Sequence, residues 1–393
     1  MSSLGIVNIG AIFTGDFARP RAQAASLRVE SGRIAAMGPE TVTGAGACDT
    51  VIDAAGTTVA PGLIDSHAHV VFGDWTPRQN MTGWIDSYLH GGITSMMSAS
   101  EVHLPGRPRD RAGIKALAVA AQRSFANHRP SGVKVHAGSV ILEPCLETSD
   151  FAELRSQGVW LAKMGFGSFA RNRDAEPLVR AAREAGFVVM SHTGGVSIPG
   201  SNTLTGGDLV QLGVDIAGHV NGGTTALPDD ELALLITTAH SGMRFQISQA
   251  GNLRSALRVL ELAAAAGRLD RVLVSSDTPT GTGVMPLGVL KSVAELSSLG
   301  RLAAGVAWAM ASGSNADVLR QNTGRVEVGR EADLLIIDAP TGSAFATASD
   351  AIEGGDLPGI SAVMIDGELR AERSRNTPLA GRLSRVVRRA APA

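Results

Sequence analysis

Residues 59–69 read VAPGLIDSHAH, and this stretch decides how the rest of the chain is read. Val59 to Ile64 has the unbroken apolar character of a buried strand. Side chains in an extended strand alternate faces, so residues two apart point the same way. His67 and His69 therefore emerge side by side at the strand's C-terminal end. Two neutral imidazoles on one face suit a borderline metal such as zinc. By itself an H-x-H pair is common by chance, so its weight depends on what stands at the ends of later strands.

Working outward, eight strand-like runs follow one another between about residue 58 and residue 320. They are TTVAPGLIDSHAH, GITSMMSA, VKVHAGSVI, GVWLAKMG, FVVMSHTGG, DIAGHVNGG, MRFQISQAGN and RVLVSSDTP. Between them lie stretches with helical periodicity, among them RDRAGIKALAVAAQRSFAN, DAEPLVRAAREAG, DDELALLITTAHSG and SALRVLELAAAAG. Eight β-then-α units in this length are what a (β/α)8 TIM-like barrel requires. Residues 1–57 read as short strands with glycine turns (IVNIGAIFTG, ASLRVESGRIAAMG, TVIDAAGTTV). After the barrel, GRVEVGREADLLIIDAP and ISAVMIDGELR are again strand-like, joined by TGSAFATASDAIEGGDLPG read as a loop. The expectation is an α/β chain: residues 58–320 form the barrel, and residues 1–57 and 321–393 build one small discontinuous β-sandwich from both termini.

Composition agrees with a compact globular protein and excludes several classes. Of the 393 residues, 44% are hydrophobic and 18% charged, with 47 glycines. A net charge of −2 offers no footprint for nucleic acid or an anionic membrane. Arg382, Arg385, Arg388 and Arg389 stand at roughly helical spacing and read as a solvated last helix. The N-terminus lacks a signal-peptide pattern, and no apolar run approaches the ~20 residues of a membrane span. Cys48 and Cys145 are too few for a disulfide framework, which points to a reduced, cytoplasmic setting. The partner expected is a small-molecule substrate, and the assembly expected is a homo-oligomer, tetramer or dimer.

Placing metal-ligand residue types on the eight runs gives weight to the opening pair. His67 and His69 end the first run, Lys163 the fourth, His192 the fifth, His219 the sixth and Asp277 the eighth. C-terminal strand ends are where barrel enzymes build their active sites. Nine histidines scattered at random would rarely put four at such positions.

The set HxH, Lys, His, His, Asp resembles the amidohydrolase superfamily over essentially the whole chain, including the G-x-E-A-D-L element before the last strands. Longer segments, PGLIDSHAHVVFGDWTPRQ, SEVHLPGRP, HTGGVSIPGSNT, HVNGG and SSDTPTGTGVMPLG, resemble its enamidase-type branch. That resemblance implies two divalent metal ions, zinc foremost, with iron, manganese, cobalt or nickel also compatible with N and O ligands. His67, His69 and Asp277 would hold the more buried ion, His192 and His219 the second, and Lys163 would bridge both. A cationic ammonium cannot ligate two dications, so Lys163 would carry a carbamate formed with CO2 (N6-carboxylysine). Two cations lower the pKa of a bridging water toward ~7, and the resulting hydroxide would attack a cyclic amide. Asp277 would shuttle the proton to the leaving nitrogen. A lactam or enamide such as 6-oxo-1,4,5,6-tetrahydronicotinate is the implied substrate, opening to 2-formylglutarate and ammonia. The same chemistry on a cyclic imide, a hydantoin-like ring or an N-acyl amide is the alternative, and a catalytically inactive scaffold is disfavoured because all six ligand residues are present.

A carboxylate-bearing substrate calls for a guanidinium fork. Arg78, after strand one, and Arg107, after strand two, are the candidates, with His103 and Asn221 as further substrate contacts. Thr193 is a possible pocket-shaping residue, Asp65 an orienting or packing residue, and His90, His128, His136 and His240 read as structural.

Overall fold

The structure, a computed structural model, describes residues 3–75, 82–101, 103, 106–223, 225–279 and 283–388. A ring of parallel strands lies at its centre: Leu63–Ala68, Ile93–Ser98, a third in two pieces (Lys134–His136 and Val140–Ile141), then Leu161–Met164, Val188–Ser191, Ile216–Ala217, Arg244–Ser248 and Val272–Ser275. These correspond in order to the eight runs. The ring is not one continuous ladder. Leu63–Ala68, Ile93–Ser98 and Lys134–His136 form a three-stranded sheet, and Val140–Ile141 starts a six-stranded sheet ending at Val272–Ser275. The third strand therefore splits near Gly138 (φ +90°) and pairs to one side with each half.

The other seam, between the eighth strand and the first, is held by individual contacts. The Asp277 N–H donates to the His67 carbonyl at 2.8 Å and the His69 N–H to the Thr278 carbonyl at 2.9 Å. The buried Asn315 amide donates to the carbonyls of Ile64 and Val274, each at 2.9 Å, and so spans strands one and eight from below. Helices flank the ring where periodicity places them: Arg111–Ala126, Glu176–Glu184, Asp229–Thr238 and Leu253–Ala265. Arg111–Ala126 is capped by Asp110, whose carboxylate accepts from the Gly113 N–H, and it buries Ile114, Ala118, Ala121 and Phe125 on one face.

Both chain ends contribute to two further sheets. The five-stranded sheet runs Arg385–Arg388, Thr50–Asp53, Ser3–Val7, Ser26–Glu30, Arg33–Gly38; the six-stranded sheet runs Glu368–Ala371, Gly359–Ile365, Leu334–Asp338, Thr58–Pro61, Ala11–Phe13, Arg21–Ala22. Leu4, Ile6, Leu27, Val29 and Ile52 of the first pack against Ile12, Val59, Leu334, Ile336 and Met364 of the second, giving a β-sandwich.

Three readings of the sequence change. Residues 58–69 are two strands in two sheets: Thr58–Pro61 pairs antiparallel with Leu334–Asp338, and the barrel begins only after Gly62, at Leu63. The arginines near the C-terminus are not on a helix. Arg385–Arg388 is a strand antiparallel to Thr50–Asp53, because Val386 finds an apolar sheet edge to cover. Within residues 341–359 a helix, Ala348–Gly354, is capped by the Thr347 hydroxyl.

Candidate active site

The C-terminal ends of the barrel strands bring His67, His69, Lys163, His192, His219 and Asp277 together, all buried. Asp277 Oδ1 lies 3.2 Å from His67 Nε2 and 3.0 Å from His69 Nε2. Ligand atoms of these three residues lie within 4.8 Å of one another. Lys163 Nζ lies 3.2 Å from His67 Nε2, and His192 Nδ1 lies 3.0 Å from His219 Nε2. The His67 ring is the hinge between the groups, with centroids 5.4 Å from His69 and 5.3 Å from His219.

Hydrogen bonds behind the imidazoles fix which nitrogen faces inward. His67 Nδ1 is 2.6 Å from Gln246 Oε1, and the Gln246 amide in turn donates to the Ser66 hydroxyl. Nδ1 therefore carries the proton, and the lone pair on Nε2 points at Asp277 and Lys163. His192 Nε2 donates to the Gly195 carbonyl at 2.7 Å, which leaves its Nδ1 lone pair facing His219. Such oriented imidazoles are the arrangement metal ligands require. Burial also keeps the rings of His67, His192 and His219 neutral. It pushes His192 down to about 3 and His219 down to about 4, and His67 well below its ordinary range, with the nearby Lys163 nitrogen adding to the effect on His67.

Burial pushes Lys163 down to about 7, where much of the amine is uncharged. Burial alone would raise Asp277, but His67, His219 and His69 around it hold its carboxyl well below the usual range. Asp277 (φ +58°) and His219 (φ +34°) take backbone conformations that side chains other than glycine seldom adopt. Strained backbone of this kind concentrates at functional sites.

The donor set fits a metal centre. It combines imidazoles and a carboxylate, and the buried His219 Nδ1 has no hydrogen-bond partner among the described residues.

The remaining sequence candidates divide. His103 reaches the cluster: its ring centroid is 4.6 Å from that of His69, and its Nδ1 is 3.1 Å from the Ser100 hydroxyl. Asn221 does not present its amide to the pocket. Its Nδ2 donates to the Ser248 carbonyl and its Oδ1 accepts from the Ser248 N–H, both at 2.9 Å, so it joins strands six and seven. Arg107 is buried, with its Nη2 held by Glu143 and the Phe166 carbonyl and its Nε without a partner among the described residues. Arg78 lies outside the described residues. Thr193 is buried, and its hydroxyl has no partner among the described residues. Asp65 is a cross-link: it accepts from the N–H groups of His67 (3.2 Å) and Ser276 (3.0 Å), joining strands one and eight beneath the site. Sequence reasoning passed over Gln246, Phe166 and Glu143. Gln246 alone carried a signal, as a polar residue inside the apolar run MRFQIS.

A barrel with this cluster at its C-terminal mouth defines a class, and the amidohydrolase family profile matches residues 58–370: the chain belongs to the amidohydrolase family. Enamidase of Eubacterium barkeri is 45% identical over 388 residues, covering 98% of this chain and 100% of that protein. The crystal structure of enamidase superposes with a TM-score of 0.93 at 45% identity, over 98% of this chain and 100% of its own. Imidazolonepropionase of Salinispora tropica is 27% identical, over 87% of this chain and 93% of that enzyme.

Proposed function

We propose that this protein is a binuclear metal-dependent amidohydrolase that opens a carboxylated six-membered cyclic enamide, 6-oxo-1,4,5,6-tetrahydronicotinate or a close analogue. The observation that carries the reading is the convergence of His67, His69, Lys163, His192, His219 and Asp277 at one barrel mouth. The 45% identity to enamidase over nearly the full chain supports the substrate class. His67, His69 and Asp277 would hold one ion and His192 and His219 the other, with a carbamate on Lys163 between them. When bound, the ions supply Lewis acidity toward the amide carbonyl and acidify water.

The chain's own residues supply the proton path. Asp277 is ionised at neutral pH and stands beside His67 and His69, so its carboxylate takes the proton of the attacking water. It returns that proton to the ring nitrogen as the C–N bond breaks. The uncharged share of Lys163 Nζ is the nucleophile that adds CO2, and deprotonation of the adduct leaves an anionic carbamate with two ligand oxygens. His103 stands beside His69 where it can donate to the substrate.

The test is a hydrolysis panel with metal analysis: the acidic enamide, its uncharged amide, a cyclic imide, a hydantoin and an N-acyl amide. Two ions per chain and highest kcat/KM on the acidic enamide are expected. Lys163→Ala should lose metal and activity and regain both with a short carboxylic acid. One ion per fully active chain, or preference for another member of the panel, overturns the binuclear or the substrate claim respectively.

A further inference from the structure

We propose that Arg107 and Glu143 form a positioning pair that fixes the wall of this pocket, holding Phe166 in place and, through it, His103. The inference rests on the reading of the six-residue cluster as catalytic and adds residues to it.

Both side chains are only 3% exposed and form an ion pair inside the barrel mouth. The Arg107 guanidinium also donates to the Phe166 carbonyl at 2.9 Å, and Glu143 Oε2 accepts from the Ser168 N–H at 2.8 Å. The pair thus grips the chain on both sides of Phe166. Gly165 turns it there at φ +106°, where a side chain is strained and a Cβ would stand 2.6 Å from that of His192. The Phe166 ring so placed stacks on His103 (4.8 Å, 19°), lies 5.7 Å from the His192 ring and carries Lys163 Nζ 5.2 Å over its face. His103 in turn meets Ser100 Oγ at 3.1 Å, and Ser100 Oγ lies 3.5 Å from His69 Nδ1. Arg107 and His103 share the loop after strand two, whereas Phe166 follows strand four. Glu143 follows strand three, so the pair ties together the segments after strands two, three and four.

A buried ion pair adds little net stability over an apolar replacement, so fixed geometry is the stronger reason to have one here. Glu143 and the Phe166 carbonyl already occupy Arg107 Nη2.

The test separates positioning from direct binding. Arg107→Met strands the Glu143 charge and frees Phe166; kcat/KM should fall roughly 100-fold, equally for the acidic enamide and its uncharged amide, with metal content retained. Adding Glu143→Gln removes the stranded charge and keeps an acceptor for Ser168, and should recover most of the loss. In histidine-labelled protein, the His103 ring resonance should lose its shift from stacking in the single variant and regain it in the double. Should Arg107→Met not fold, Arg107→Lys serves instead: an ammonium lacks the fork, and roughly a 10-fold loss with a partly moved resonance is expected. Loss confined to the acidic substrate would overturn the proposal in favour of a carboxylate ligand, and an unmoved resonance with wild-type rates would overturn it outright. If the wild type hydrolyses nothing in the panel, the functional reading fails, while the His103 resonance still decides the positioning claim.

Discussion

Asp277 shows most directly how single residues divide the work. Its Oδ1 faces two imidazoles that would share an ion with it, and its charge is maintained by those neighbours against the effect of burial. Asp277→Asn keeps an oxygen at the same place but cannot take a proton. Turnover is expected to drop ~100-fold or more with metal still bound, as read by steady-state kinetics beside metal analysis. Near wild-type turnover would remove Asp277 from the proton path. The six ligand-type residues were legible in the sequence because strand ends and alternation fix their direction once the runs are recognised. Arg107 and Asn221 were misleading for a physical reason: residue type shows that a side chain can bind a carboxylate or a carbonyl, not that Glu143 or Ser248 already engages it.

Strands and helices were readable from periodicity, but their membership in sheets was not. An apolar run looks the same whether one sheet or two receive it, so the break at Gly62 and the split at Gly138 were invisible. Helix pairing is likewise set by long-range contacts. The buried Asp150, at the start of the helix Thr148–Ser156, receives Arg111 Nε and Lys115 Nζ from Arg111–Ala126, each at 2.9 Å, and the Glu147 N–H at 2.8 Å. Burial pushes this carboxyl up, but Lys115, the Glu147 N–H and Arg111 together hold it below its ordinary value. A depressed folded-state pKa contributes stability that is fully present above the unfolded value near ~3.9 and lost as pH falls through the folded one. Asp150→Asn should therefore unfold at lower denaturant than the wild type at neutral pH. The gap should narrow as pH falls from the unfolded value through the lower folded one, where Asp150 also becomes uncharged. A gap that stays constant with pH would mean that the Arg111–Lys115–Asp150 contacts contribute nothing through charge.

At the scale of the whole molecule, the sandwich and the barrel followed from the periodicity and order of the runs, and no described helix is long and apolar enough to cross a membrane. What only the folded chain reveals is that the barrel is a hoop in two arcs. His67 and His69 belong to the short arc; Lys163, His192 and His219 belong to the long one, and Asp277 follows directly from its last strand. Ions gripped by residues of both arcs would act as a clasp, so that substrate chemistry and the roundness of the barrel share one fastening. Stripping metal with a chelator should then speed amide hydrogen exchange at the two joints, around Gly138 and between Ala68 and Thr278, while the mid-strand amides of each arc stay protected. Uniform protection after chelation would mean the hoop closes on its own. A faster exchange at the joints alone would make metal supply a determinant of how long this protein lasts, not only of how fast it works.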